Sequence, residues 1–252
     1  MKLFQSKYNT LKSQYLEYRR RNESAQYYKN FELNNPGNYM STHCFDYYKC
    51  IFIHIPKTAG LSISKTLFGN YAGSHLNIDH YITTLGRKTV DEYFKFTFVR
   101  SPWERLFSAY NFLKQDGINE EDKEFENKYL SGINTFESFV MNWLDEKSMF
   151  LYWHFIPQFH FITLKEDRNK VLVDFIGRFE NLEADFKHVC KILKVRNGNL
   201  EKVNTTKTYS AQSYIEVYSS EMIEKVGQLY KKDIFLFNYS FCKEQDRAKI
   251  LL

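Results

Sequence analysis

A three-layer α/β sandwich, with helices flanking a largely parallel central sheet, is the architecture this sequence predicts, on three observations. Short apolar runs recur at residues 51–55, 94–99 and 171–176. Between and after them apolar residues fall at helical spacing, as do Trp103, Leu106, Phe107, Tyr110 and Leu113. Strands alternating with helical segments are the pattern of crossover connections, which keep neighbouring strands parallel. The 252 residues are 43% hydrophobic and 18% aromatic, enough to fill one sizeable core.

Taken in order, residues 1–40 are polar, rich in Tyr, Lys, Arg and Asn, and pass through the turn signal Asn35-Pro36-Gly37. They read as an N-terminal helical extension, with Arg19, Arg20 and Arg21 on a solvated face, ahead of a single domain over 41–252. The first strand, 51–55, runs into Pro56-Lys57-Thr58-Ala59-Gly60-Leu61-Ser62, which opens a helix that buries Ile63 and Leu67. The second strand, 94–99, is followed by Ser101 as N-cap, Pro102 at the first helical position and Glu104 completing a capping box. After the third strand, Phe186, Val189, Cys190 and Leu193 mark one helix, and Met222, Val226, Leu229 and Tyr230 a later one.

Composition narrows the function. Thirty-five Lys and Arg against thirty Asp and Glu give a net charge of +5, which suits an anionic ligand. Four cysteines without a C-x-x-C pair form neither a disulfide scaffold nor a zinc site, and fit reduced thiols. No run approaches the ~18 apolar residues of a membrane span, and the N-terminus lacks a signal-peptide core. A cytoplasmic protein is expected, in which the sequons at Asn22, Asn204 and Asn238 carry no meaning. No nucleic-acid motif is present, so no nucleic-acid partner is expected.

Two turns carry the chemistry. In the first, a Gly-bearing turn at a helix start aims backbone N–H groups and the positive end of the helix dipole at one phosphate. Lys57 adds a full charge there, and Thr58 and Ser62 offer hydroxyls. The order of residues is not that of a Walker A loop, because Lys57 precedes Gly60. Residues 171–174 imitate a Walker B strand ending in Asp174, which reads instead as a core strand with a solvent-side carboxylate. In the second turn Arg100 sits at a strand's carboxyl end beside a helix N-terminus, where open sheets bind ligands. Ser108 lies about two turns along that helix, so Arg100 and Ser108 can converge on a second phosphate.

Residues 53–60 resemble the 5'-phosphosulfate loop, and residues 98–110 the 3'-phosphate motif, of Golgi-type carbohydrate sulfotransferases and their bacterial relatives. The stretches 173–182 and 230–241 are similar to the same family. The resemblance implies a P-loop-like fold and a 3'-phosphoadenosine 5'-phosphosulfate co-substrate without a metal. It also implies in-line transfer of the sulfuryl group to a glycan hydroxyl. Pro56 through Ser62, Arg100 and Ser108 would then hold the nucleotide, with Lys57 opposite the bridging oxygen. A histidine between the two motifs serves the family as base; the spacing matches His75 best, with His80 as second candidate. His154, in an aromatic run with His160, is placed with His75 and His80 at the acceptor cleft, and Lys207 in a loop that closes over the nucleotide. The absence of a membrane anchor points to a bacterial-type cytoplasmic protein and away from heparan- or chondroitin-type acceptors. Two other readings stay open: a nucleotide-dependent kinase, and a catalytically silent nucleotide- or glycan-binding protein.

Overall fold

The sheet has β1 (Cys50–Ile53), β2 (Phe94–Val99) and β3 (Phe175–Arg178), in that order and all parallel. Ile53 stands opposite Thr97, and Val99 opposite Arg178. This is a computed structural model, which describes residues 43–195, 199–201 and 214–241. The extension expected over 1–40 and the loop carrying Lys207 lie outside them. β1 is buried throughout and β2 nearly so, the burial expected of parallel strands covered on both faces; the two polar residues of β2 are buried with partners, Lys95 against Asp174 and Thr97 donating to the Ile53 carbonyl at 2.7 Å.

Helix α1 (His43–Tyr48) leads into β1. The crossover to β2 contains α2 (Gly60–Phe68), α3 (Ile78–Leu85) and α4 (Arg87–Glu92). α2 buries Ile63 and Leu67 as expected and stops at Gly69, whose φ of +72° is the left-handed conformation that ends helices. Asn77 starts α3, its side chain accepting the His80 N–H. After β2 comes α5 (Pro102–Leu113), then α6 (Glu120–Phe125) running into a π-helical turn at Glu126–Leu130. After β3, α7 (Leu182–Ile192) returns to the sheet, and α8 (Ser220–Leu229) and α9 (Lys231–Phe237) complete the described chain. Among the described residues no helix is long and apolar enough to cross a membrane.

The third strand is displaced from its expected span of 171–176 to Phe175–Arg178. Val171 instead makes an isolated antiparallel bridge with Thr163. Asp174 marks the change: its carboxylate accepts the Lys95 N–H at 2.7 Å and meets the Lys95 ammonium at 2.9 Å. This carboxylate lies at the amino end of β3, the far end of the sheet from the two turns, so it cannot serve a phosphate-bound metal as a Walker B residue does.

Buried apolar side chains form two clusters, one around the sheet with α2, α3 and α7, the other around α5, residues 125–155 and α8. α5 belongs to the second cluster through Trp103, Leu106, Ala109, Tyr110 and Leu113. Phe107, expected in that stripe, is only partly buried, and Ala109 takes the inner position.

Candidate functional site

The first turn is a strained loop held by its neighbours. Lys57 and Ala59 both adopt left-handed backbone, at φ +70° and +67°, a conformation that costs a non-glycine residue about 1–2 kcal/mol. Alternating turns of this kind gather backbone N–H groups around an anion-sized concavity. Ala59 is also the N-cap of α2 and has no side chain to cap it, so the first N–H groups of α2 have no side-chain acceptor at that position. Thr58 does not offer its hydroxyl to a ligand: it is fully buried and donates to the Ile55 carbonyl at 2.8 Å. That corrects the expected role of its hydroxyl, since a proton committed inside the loop stiffens the turn instead. Ser62 is buried in the first turn of α2, and Leu61 beside it is half-buried.

Gly60 is needed for space. A Cβ built there would stand 1.8 Å from His54 Cδ2 and 2.0 Å from Nε2, and His54 is itself 4% exposed, its ring stacked on Phe52 at 5.7 Å. Gly60→Ala is therefore expected to destabilise the protein by about 1–3 kcal/mol, the usual cost of overpacking a filled core. Thermal unfolding checks it; an unchanged midpoint would mean that His54 swings aside without loss.

The second turn is tied to the first. The Arg100 guanidinium donates to the Lys57 carbonyl at 3.2 Å and to Glu104 at 2.7 Å, and lies 3.8 Å from the centre of the Phe179 ring, which follows β3. One side chain thus joins the loops at the carboxyl ends of all three strands. Its Nε is buried without a partner, as are Ser101 Oγ and Arg105 Nη2. Ser101 is the N-cap and Pro102 the first helical residue, but the capping box does not form. Ser101 makes no side-chain cap, and Glu104 turns to Arg100 because a guanidinium is a stronger partner than one backbone N–H. Arg105, 2% exposed, donates to Pro56 O and Ile156 O, both at 2.9 Å. Phe112, seven residues on, lies under the Lys57 ammonium at 3.6 Å. Since Arg105 and Phe112 both face the first turn, Ser108, three and four residues from them, shares that face of α5.

Lys57 is held in a setting hostile to charge. Burial, followed by the Arg100 charge, lowers its pKa to about 7, with Asp122 opposing and Arg105 adding to the shift. Beyond it lie three imidazoles. The His75 ring is 4.5 Å from His54 and 5.7 Å from His154, and Trp153 borders it at 6.0 Å. His75 Nδ1 lies 3.3 Å from the His54 carbonyl. A carbonyl can only accept, so Nδ1 carries the proton and Nε2 the lone pair. Burial, with His54 and His154 beside it, holds the His75 pKa well below the usual 6.5. His154 Nε2 is 3.2 Å from Asp122 Oδ1, which also accepts the Tyr152 hydroxyl at 2.6 Å. His80 is elsewhere: its ring neighbours Tyr81 at the start of α3, and it makes none of the described contacts with Lys57, His75 or His154.

Residues 41–240 match the sequence model of the sulfotransferase family. The chain belongs to that family. Carbohydrate sulfotransferase 14 of Mus musculus is 31% identical over 170 residues, which cover 57% of this chain and 44% of the mouse protein. Carbohydrate sulfotransferase 11 of Rattus norvegicus is 23% identical over 236 residues, covering 77% and 65%. An uncharacterized protein of Archaeoglobus fulgidus is 33% identical over 122 residues, covering 48% and 84%. The match to carbohydrate sulfotransferase 14 thus spans less than half of that relative. No solved structure gives a significant match.

Several residues outside the two turns shape the site of this sulfotransferase-family chain. Gln158 clamps the Arg100 backbone, accepting its N–H at 2.9 Å and donating to its carbonyl at 2.8 Å. Asp233, fully buried in α9, fixes that segment by accepting the N–H groups of Gln158 and Phe159 at 2.7 and 2.8 Å. Asp122 has no neighbouring motif to announce it. Arg105 had a signal, because a charged residue three positions from Ser108 and seven from Phe112 shares their helix face.

Proposed function

We propose that this chain transfers the sulfuryl group of 3'-phosphoadenosine 5'-phosphosulfate to a hydroxyl of a carbohydrate. The observation that carries the reading is the joining of the two turns by Arg100, whose buried Nε has no partner, beside the uncapped start of α2. A ligand with phosphate groups at two separated ends fits that donor set, and the buried unpaired donors fit an anion in particular, since burying them without a partner costs about 1–3 kcal/mol each. The named relatives support a carbohydrate as acceptor.

The nucleotide supplies the sulfuryl group in activated form. The turn at 57–62 holds its 5' end, and Lys57 faces the oxygen on which negative charge grows as the acceptor attacks. Arg100 and Ser108 hold the 3'-phosphate, with Glu104 paired to the Arg100 guanidinium. His75 accepts the hydroxyl proton at Nε2 and, with Trp153, borders the space where a sugar would lie.

Nucleotide linkage tests the reading. Adenosine 3',5'-bisphosphate is expected to raise the melting temperature well above the shift given by ATP with magnesium, because only a ligand bound by the native state stabilises it. Equal or greater stabilisation by magnesium ATP would favour a kinase. Stabilisation by the bisphosphate without transfer to any acceptor would leave a nucleotide-binding protein.

A further inference from the structure

His75 is poorly placed to keep a proton. Around its ring stand His54 from the loop after β1, Arg105 from α5 and His154, and each of these disfavours a second positive charge there. The His54 carbonyl on Nδ1 is its one compensating contact. Among the described residues facing this cluster the carboxylate is Asp122, and it reaches the cluster through His154 rather than through His75.

The Asp122 site is built for that purpose. The carboxylate is 1% exposed and accepts from Tyr152 Oη at 2.6 Å and from the Ile118 N–H at 3.1 Å, as well as from His154. Hydrogen bonds from His154 and Tyr152 lower its pKa against the opposing effect of burial, so it is ionised. An ionised carboxylate only accepts, which puts the His154 proton on Nε2 and its lone pair on Nδ1. That Nδ1 is buried and has no partner. Its ring is 5.7 Å from His75 and 5.1 Å from Phe112, above which the Lys57 ammonium lies.

We infer that the Asp122–His154 pair is the final proton acceptor of the transfer, taking from His75 the proton that His75 removes from the attacking hydroxyl. The inference rests on the sulfotransfer reading. The hydroxyl oxygen forms the new bond to sulfur, and the bridging oxygen leaves with its electron pair. The hydroxyl proton goes to His75 Nε2 and from there to His154 Nδ1, which returns His75 to its neutral form. His154 then carries a proton on each nitrogen, where burial and the Lys57 and Arg105 charges oppose the cation and the Asp122 hydrogen bond and charge support it. Asp122 acts as a positioning residue, holding the His154 tautomer and stabilising its cation.

Two measurements test it. In the nucleotide-free protein, histidine 15N NMR on acidification is expected to show His154 protonating before His75 and His54, and Asp122→Asn to remove that lead. Protonation of His75 first, or an unchanged order in Asp122→Asn, would overturn the inference. In transfer from 35S-labelled donor to a panel of polysaccharide acceptors, Asp122→Asn and His154→Gln are each expected to lower kcat by about a hundredfold, and His154→Gln to leave KM for the donor and affinity for adenosine 3',5'-bisphosphate unchanged. Normal kcat in His154→Gln sinks it. Failure of the wild-type protein to bind the bisphosphate would instead strike the sulfotransfer reading, and the NMR order would still judge the proton path.

Discussion

Lys57→Met is expected to lower turnover by about 10²–10³, the scale of losing one charged group aimed at developing negative charge. The loss should be larger in kcat than in donor affinity, because the charge on the bridging oxygen is greater in the transition state than in the ground state. The geometry adds a pH signature. With a pKa of about 7, Lys57 is half-charged near neutrality. A bound anion favours its charged form, so binding above pH 7 takes up a proton and affinity falls as pH rises. Titration calorimetry in buffers of different ionisation enthalpy measures that uptake, and Lys57→Met should abolish it. Equal proton uptake by the variant would assign the effect to another group.

His75→Ala is expected to cut turnover by about a hundredfold or more while nucleotide affinity stays nearly constant. A base must be neutral to act, and the His75 pKa lies well below 6.5, so the acid limb of the rate profile should fall below the ordinary histidine range. Stability falls in the same direction. Burial lowers the pKa of His54 to about 3 and of His154 to about 4. Below about pH 6.5 the unfolded chain therefore binds protons that the native imidazoles refuse, so stability is full above that pH and declines beneath it. Rates and unfolding must be followed together, and only a limb that precedes unfolding reports the base. Normal turnover in His75→Ala, with loss in His80→Ala, would move the base to α3.

The parallel α/β sheet and the positions of the turns after its first two strands were legible in the sequence. Those signals are local: Phe94, Phe96 and Phe98 alternate along one face of a strand, Pro102 presets a helix start, and a Gly-bearing turn follows the apolar run 51–55. Local pattern went astray where a distant partner was stronger. Glu104 leaves the cap for Arg100, the Thr58 hydroxyl turns inward to Ile55, and the third strand begins late where Asp174 meets Lys95. Tertiary structure alone decided which side chains converge. Arg105 reaches Pro56 across 49 residues, His154 meets Asp122 across 32, and Asp233 fixes Gln158 across 75. No periodicity encodes such pairs. Each exists because a buried charge must find a partner in whatever element packs beside it, and that neighbour is set by the packing of the whole chain.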